Sequence, residues 1–146
     1  MHNKAISSIL DVNLPSTYFL INSATRFMMK NGGYIINIKR IAAKICFPVN
    51  PACISSKAEL KRLTRSLSYD FAHLDIRLNS LVPSYFKTDI TKKNFYAPLR
   101  VNRSLLMRWG EFKELMIPAI FLLSKSSSFI IGTVLIVDYG WSFKLL

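Results

Sequence analysis

Apolar residues recur along this chain at two periods. Leu10, Leu14, Tyr18, Ile21 and Met28 keep helical spacing through Lys30, so the first readable element is a helix. Pro15 lies within it and should kink it, because proline lacks a backbone donor and crowds the preceding turn. Gly32-Gly33 ends the helix and leads into Tyr34-Ile35-Ile36-Asn37-Ile38, a short apolar run that predicts a buried strand over 34–38. Asn50-Pro51 then reads as an N-cap followed by a first-turn proline. Leu60, Leu63, Leu67, Phe71 and Leu74 mark one face of a long helix that ends near His73. Its outer side carries Lys61, Arg62 and Arg65, a solvated face.

The period changes again at Ile76-Arg77-Leu78-Asn79-Ser80-Leu81-Val82, a second strand stopped by Pro83. Residues 89–108 are basic and show no clear periodicity. Phe112, Met116, Ile120 and Leu123 give a further helix its apolar face, and Pro118 inside it should distort it. Helices alternating with strands predict an α/β fold. No internal repeat or low-complexity segment breaks the pattern.

Composition narrows the picture. A chain of 146 residues reads as one domain, 1–146, and 51% hydrophobic residues are enough to build a core. The net charge of +12, from 20 Lys+Arg against 8 Asp+Glu, raises the question of nucleic acid or an acidic surface. The basic residues are spread from Lys4 to Lys144 with no block of five like charges, and no nucleic-acid motif accompanies them, so solvated faces account for the charge. Phe71, Phe121 and Phe129 fall in apolar stretches and are expected in the core. Cys46 and Cys53 have no metal-ligand pattern around them, and His2 and His73 form no cluster. Residues 1–20 lack an apolar core with a small-residue cleavage site. The apolar runs at 115–123 and 129–137 fall short of the roughly 18 residues that a membrane span needs. Neither a nucleic-acid nor a membrane partner is expected, and a cytoplasmic location follows by default.

Particular residues then carry a resemblance. Asn37-Ile38-Lys39-Arg40 ends the first strand, and Cys53-Ile54-Ser55-Ser56-Lys57 opens the long helix. From about Ile9 to Trp141 the chain resembles the short-chain dehydrogenase/reductase family, which writes these stretches as Asn-x-Ser-Ser and Tyr-x-x-x-Lys. Arg40 stands at the family's serine position and Cys53 at its tyrosine position, 53 − 40 = 13 residues apart as is usual there. Lys57 is retained, and Asn13, 27 residues before Arg40, matches the helix asparagine that holds a water in the family's proton relay. The loop 41–50 matches the stretch between serine and tyrosine. Ile76-Arg77-Leu78-Asn79 and Pro83-Ser84-Tyr85-Phe86-Lys87-Thr88 resemble the strand and loop that run beside the nicotinamide. Pro83 and Thr88 are kept there, and Ser84 replaces a glycine. Residues 89–108 would cover the substrate. Arg108-Trp109-Gly110-Glu111 resembles the lead into the last helix, and Val137-Asp138-Tyr139-Gly140 the closing Val-Asp-Gly-Gly.

The resemblance implies a closing strand at 133–137 and so a partial Rossmann-like, doubly wound parallel sheet of three strands, at 34–38, 76–82 and 133–137, with helices on their faces, a truncated domain without the glycine-rich nucleotide-binding half, and an oxidoreductase ancestry with NAD or NADP as cofactor. In the family the serine holds the substrate carbonyl, the tyrosine moves the proton, and the lysine lowers the tyrosine pKa and bonds the ribose. Lys57 could keep its part, and Pro83 and Thr88 theirs toward the cofactor. Cys53 cannot replace a tyrosine. Its thiol is acidic enough, with a pKa of about 8.5 against about 10, but its sulfur stops one bond past Cβ, far short of a phenol oxygen. Lys57 nearby could make Cys53 a reactive thiolate, though a lone cysteine without a histidine partner is more often packing. Arg40 brings a second cation toward Lys57 and could bind only an anionic group. The glycines are Gly32, Gly33, Gly110, Gly132 and Gly140, and none forms the Gly-x-x-x-Gly-x-Gly turn that cradles a pyrophosphate.

Three readings remain. The chain is a truncated, inactive remnant that does not bind cofactor by itself, or a subunit of a split oxidoreductase completed by another chain. Alternatively it is a binding protein using the family's dimerisation helices, with a homo-oligomer as the expected assembly. The coding DNA upstream of Met1 separates them. The strand at 34–38 is expected to expose a hydrogen-bonding edge.

Overall fold

The computed structural model describes residues 11–41, 51–89 and 101–143, with the side chains of 51–58 left aside. The loop at 42–50, residues before Asp11 and much of the covering segment, 90–100, lie outside the described residues.

Among the described residues three strands and three helices carry the fold: α1 (Pro15–Met28), β1 (Gly33–Ile38), α2 (Pro51–Phe71), β2 (Ile76–Pro83), α3 (Phe112–Leu122) and β3 (Val134–Val137). Pro15 acts as expected. Residues 11–13 are helical, the helix breaks at Leu14, and α1 restarts with the proline in its first turn. A proline at that place offers no N–H to the carbonyl of Asp11. The Ser16 hydroxyl donates to Asp11 O at 2.9 Å instead, and the Thr17 hydroxyl donates to Asn13 O at 3.0 Å. At the other end Gly32 turns the chain with φ of +67°, and a side chain there would meet Asp75 O at 2.7 Å, so only glycine fits.

The sheet runs β1-β2-β3, all parallel, pairing Gly33 with Ile76, Ile38 with Leu81, and Pro83 with Val137. β2 is buried along nearly its whole length, as a central parallel strand should be. On one face Ile21 of α1, Leu67 of α2 and Leu78 of β2 form a core, extended by Ile35, Leu63 and Phe71. On the same face Thr64 is a polar hub: its hydroxyl donates to Leu60 O (2.7 Å) and accepts from Asn37 Nδ2 (2.9 Å) and Ser80 Oγ (3.2 Å). Ser68 Oγ reaches Leu78 O at 2.8 Å. On the opposite face Arg77, 6% exposed, donates to Ile130 O (2.8 Å), Ser124 O (3.0 Å) and Leu122 O (3.2 Å) and lies 4.5 Å over the Tyr34 ring. Asn79 donates to Ile130 O and accepts from Thr133 N. These two side chains tie the end of α3 and its connection to β3 onto the central strand.

Two expectations are corrected. The face of α3 given by Phe112, Met116, Ile120 and Leu123 is 45–60% exposed, and the buried side is marked by Leu122 at 1%. The reason is that α3 is apolar nearly all round, so its periodicity selects no face. Phe129 is fully exposed and Phe121 is 37% exposed, because Phe129 sits in the turn after the short 3-10 helix Lys125–Ser127. Pro118 is carried within α3, which continues to Leu122. The long helix ends at Phe71, with a 3-10 turn (Ala72–Leu74) following. Lys61, Arg62 and Arg65 are exposed, as expected of a solvated face.

Candidate active site

The polar ladder between α2 and β2 fixes how the helix lies. Thr64 meets Ser80 and Ser68 meets Leu78, so α2 runs antiparallel to the strands. Its first turns therefore stand at the carboxyl ends of the strands, where ligands bind in open α/β sheets. One helical step of four residues is about 6 Å, close to the roughly 6.6 Å of two strand residues. Continuing that match puts Lys57 near the level of Pro83, with Cys53 a turn beyond. The side chains of Cys53 and Lys57 lie outside the described residues. Arg40 follows β1 directly at the same end and is exposed, beside a ladder extended by Lys39 N to Leu81 O at 2.8 Å. Asn13, half-buried, precedes α1, which starts at this end because its last turn meets Gly33 at the other. Topology thus gathers Asn13, Arg40, Cys53, Lys57 and Pro83 at one end of the sheet.

Below them is a packed floor of Ile41, Val82 and Trp141, with Tyr85, Val134 and Ile136 against it. Ser84 N donates to Val137 O at 3.0 Å, which continues the β2–β3 ladder past Pro83. Tyr85 is wedged edge-on between Trp109 (5.8 Å) and Trp141 (5.3 Å). Phe86 pairs with Gly110 through backbone bonds on either side, and a Cβ on Gly110 would stand 2.6 Å from the Phe86 ring. Thr88 is half-buried just beyond. The Lys87 ammonium pairs with Glu111.

Arg108, Glu114 and Tyr139 close the rim. Arg108 grips Glu114 with two bonds, Nη2 to Oε1 at 2.7 Å and Nη1 to Oε2 at 2.9 Å, and donates to the Tyr139 hydroxyl at 3.3 Å. Glu114 Oε2 also accepts from Glu111 N at 2.7 Å, at the start of α3. The Arg108 guanidinium holds the Glu114 carboxyl well below the usual carboxylate range, and Glu114 in turn raises Arg108. Burial pushes the Tyr139 phenol up. Tyr139, at the position of a family glycine, sits at φ of +53°, and its Asp138 neighbour accepts from Gly140 N and Ser142 N. The alternating polar residues Arg77 and Asn79 in an apolar strand were the sequence signal for the far-face anchor; the rim cluster had none, because its members are 31 residues apart at the widest.

Comparison with known proteins decides what this end of the sheet belongs to. A family model described as enoyl-(acyl carrier protein) reductase matches residues 1–142. The chain belongs to the short-chain dehydrogenase/reductase family. It is 30% identical over 142 residues to gluconate 5-dehydrogenase of Gluconobacter oxydans, covering 94% of this chain and 56% of that protein. It is 34% identical over 143 residues to 2-dehydro-3-deoxy-D-gluconate 5-dehydrogenase of Bacillus subtilis, covering 91% and 54%. The structure of a gluconate 5-dehydrogenase from Burkholderia cenocepacia, in complex with NADP and tartrate, superposes with a TM-score of 0.90 at 28% identity, over 97% of this chain and 58% of that one. This short-chain dehydrogenase/reductase chain spans a little over half the length of the curated relatives it matches. Its three-stranded parallel sheet with flanking helices is the corresponding part of a Rossmann fold.

Among the described residues no glycine-rich turn of the kind that grips a dinucleotide is present. A pyrophosphate needs a glycine turn that lets backbone approach closely, and here Gly110 is filled by Phe86, Gly32 by Asp75 and Gly140 by Leu105. Among the described residues no group of three or more His, Cys, Asp or Glu could hold a metal ion, and no helix is long and apolar enough to cross a membrane.

Proposed function

We propose that this chain, 1–146, is the C-terminal part of an NAD(P)-dependent short-chain dehydrogenase/reductase whose active site has lost its chemistry, a cytoplasmic pseudoenzyme. One observation carries the reading: Arg40 stands exposed at the strand end where the family places its serine. A guanidinium is a permanent cation with no acceptor, so it cannot stand in for a hydroxyl that shares a proton with a carbonyl substrate. Cys53 at the tyrosine position is too short to reach that carbonyl. Asn13, Lys57, Pro83 and Thr88 keep the family's identities at their positions.

The experiment is NADPH oxidation by the isolated chain with 5-ketogluconate and a panel of ketones. No turnover above background is expected. Turnover that scales with protein concentration would overturn the reading.

A homo-oligomer through α1 and α2 belongs to the same proposal. A cleft of about 440 Å³ between them is lined by Leu14, Tyr18, Phe19 and Leu63 with Glu59 and Arg62 at its rim, and Phe19 and Leu20 are 65% and 70% exposed. The second reading, a subunit of a split oxidoreductase, is favoured by the outer edge of β1, which no strand pairs among the described residues.

A further inference from the structure

Residues 101–108 lie at the carboxyl end of the sheet with little burial of their own. Ser104 is the one buried residue among them, and Leu105, Leu106 and Met107 are 61%, 57% and 62% exposed. A segment so lightly buried needs specific contacts to stay down. The turn 138–141, directly after β3, supplies them. Tyr139 O accepts from Leu105 N at 3.0 Å. The Leu105 side chain is seated on Gly140, where an added Cβ would stand 2.3 Å from it. The Arg103 guanidinium lies 5.0 Å over the Trp141 ring. The Arg108 guanidinium lies 4.5 Å over the Tyr139 ring and donates to its hydroxyl at 3.3 Å. The same ring faces Phe86, with centroids 6.5 Å apart, so Tyr139 bridges the segment and the loop after β2.

This contact is made at a backbone cost. Tyr139 has φ of +53°, and Met107, next to Arg108, has φ of +48°. Among the described residues the other non-glycine residue with positive φ is Asp75, which caps the 3-10 turn before β2. Glycine adopts this conformation freely, whereas an L side chain is strained in it. Such strain persists where surrounding contacts over-determine the backbone. Tyr139 stands where the resemblance puts a glycine, and what its side chain gains there is Arg108 and Phe86.

We infer that Tyr139 and Arg108 form a latch that straps residues 101–108 down at the carboxyl end of the sheet, and that removing either side chain lets the segment lift from a base fixed at Gly110. The base has its own bonds: Gly110 N donates to Tyr85 O (3.0 Å) and Lys87 N to Gly110 O (2.9 Å). Glu114 grips the guanidinium with two bonds and so presents it to the ring. That the strapped segment is part of a substrate cover rests on the family reading above; the latch rests on these contacts.

The test is residue-resolved amide exchange on the full chain and on Tyr139→Gly, Tyr139→Phe and Arg108→Met. The Leu105 amide reports the strap, Gly110 its base, and Ser80, which donates to Thr133 O at 2.9 Å, the sheet. Tyr139→Gly relieves the backbone and keeps the carbonyl that Leu105 uses. Leu105 is nevertheless expected to exchange about tenfold faster, as the ring contact and its hydrogen bond are lost, with Gly110 and Ser80 unchanged. Tyr139→Phe keeps a ring under the guanidinium and should fall between. Arg108→Met should release Leu105 as far as Tyr139→Gly does, and the double variant no further, because the two side chains make one contact. Trypsin cleavage after Arg103, followed by mass spectrometry, should quicken in the same variants. The inference is overturned if Leu105 in Tyr139→Gly exchanges within about twofold of the unsubstituted chain. It is equally overturned if Leu105 accelerates only in step with Ser80, which would mean a general loss of stability, or if the effects of Tyr139→Gly and Arg108→Met add. NADPH turnover by the chain would overturn the inactive reading and leave the exchange result to decide the latch.

Discussion

Replacing Arg77 by methionine keeps an unbranched stem in the space beside Tyr34 and removes the guanidinium. Three carbonyls lose a donor, at 2.8 to 3.2 Å. They are not equally exposed to the loss. Ile130 O keeps Asn79 Nδ2 at 3.1 Å, and Ser124 O keeps Ser127 Oγ at 3.1 Å. Leu122 O belongs to a residue that is 1% exposed, and burial makes a lost partner costly there. A net contribution of about 1–1.5 kcal/mol per bond gives a destabilisation of about 3–4 kcal/mol, a large share of the roughly 5–15 kcal/mol that holds a domain together. The opposing effect is real: exchanging a buried charge for an apolar side chain can be neutral or stabilising when the charge was poorly served. Arg77 is well served, by three acceptors and a ring, so loss should win. Arg77→Lys, with a point charge in place of a planar fork, should recover only part. Urea unfolding followed by circular dichroism, at low micromolar protein to limit association, measures both. An Arg77→Met chain within about 1 kcal/mol of the unsubstituted one at unchanged m-value would refute the idea that this residue clamps α3 to the sheet.

Thr64→Val preserves shape but leaves Asn37 Nδ2 and Ser80 Oγ without their acceptor; we expect a loss of about 2–3 kcal/mol in the same assay, with Thr64→Ser close to the unsubstituted chain. For Glu114 the folded pKa is depressed, chiefly by its bonds to Arg108. Its contribution is therefore present above its ordinary value of 4.5 and is lost as pH falls below that toward the depressed folded value; Glu114→Gln should flatten the acid limb of stability against pH, and an unchanged limb would count against the clamp. The double substitution Arg40→Ser with Cys53→Tyr should not restore ketone-dependent NADPH oxidation in the isolated chain, because an unheld cofactor forfeits an orientation advantage worth roughly 7–11 kcal/mol. Activity in that variant alone would show that the glycine-rich half is dispensable.

The strands were legible because each is a short apolar run between turn residues, and the structure places them at 33–38, 76–83 and 134–137. Family motifs assigned candidate positions at the carboxyl ends by their spacing alone. What the sequence did not reveal lies in contacts distant along the chain. Thr64 is 27 residues from Asn37, and Arg77 is 53 from Ile130; neither periodicity nor motif encodes such pairs. The face of α3 was misread because a helix apolar all round leaves the choice to what packs on it. Phe129 was misread because the apolar run it opens, Phe129-Ile130-Ile131, begins in the turn after Ser126-Ser127-Ser128 and not in a regular element.

The central claim is that this chain has the sheet of a short-chain dehydrogenase/reductase without its means of holding and using a dinucleotide. Calorimetric titration of the isolated chain with NADPH, and separately with NADH, tests it most directly. The account predicts no saturable heat up to millimolar cofactor, as expected where the glycines are occupied in turns and packing and the strand end presents Arg40. Saturable one-site binding at micromolar cofactor, lost on Lys57→Ala, would contradict it and show that the residues at the carboxyl ends of these strands form a nucleotide site by themselves.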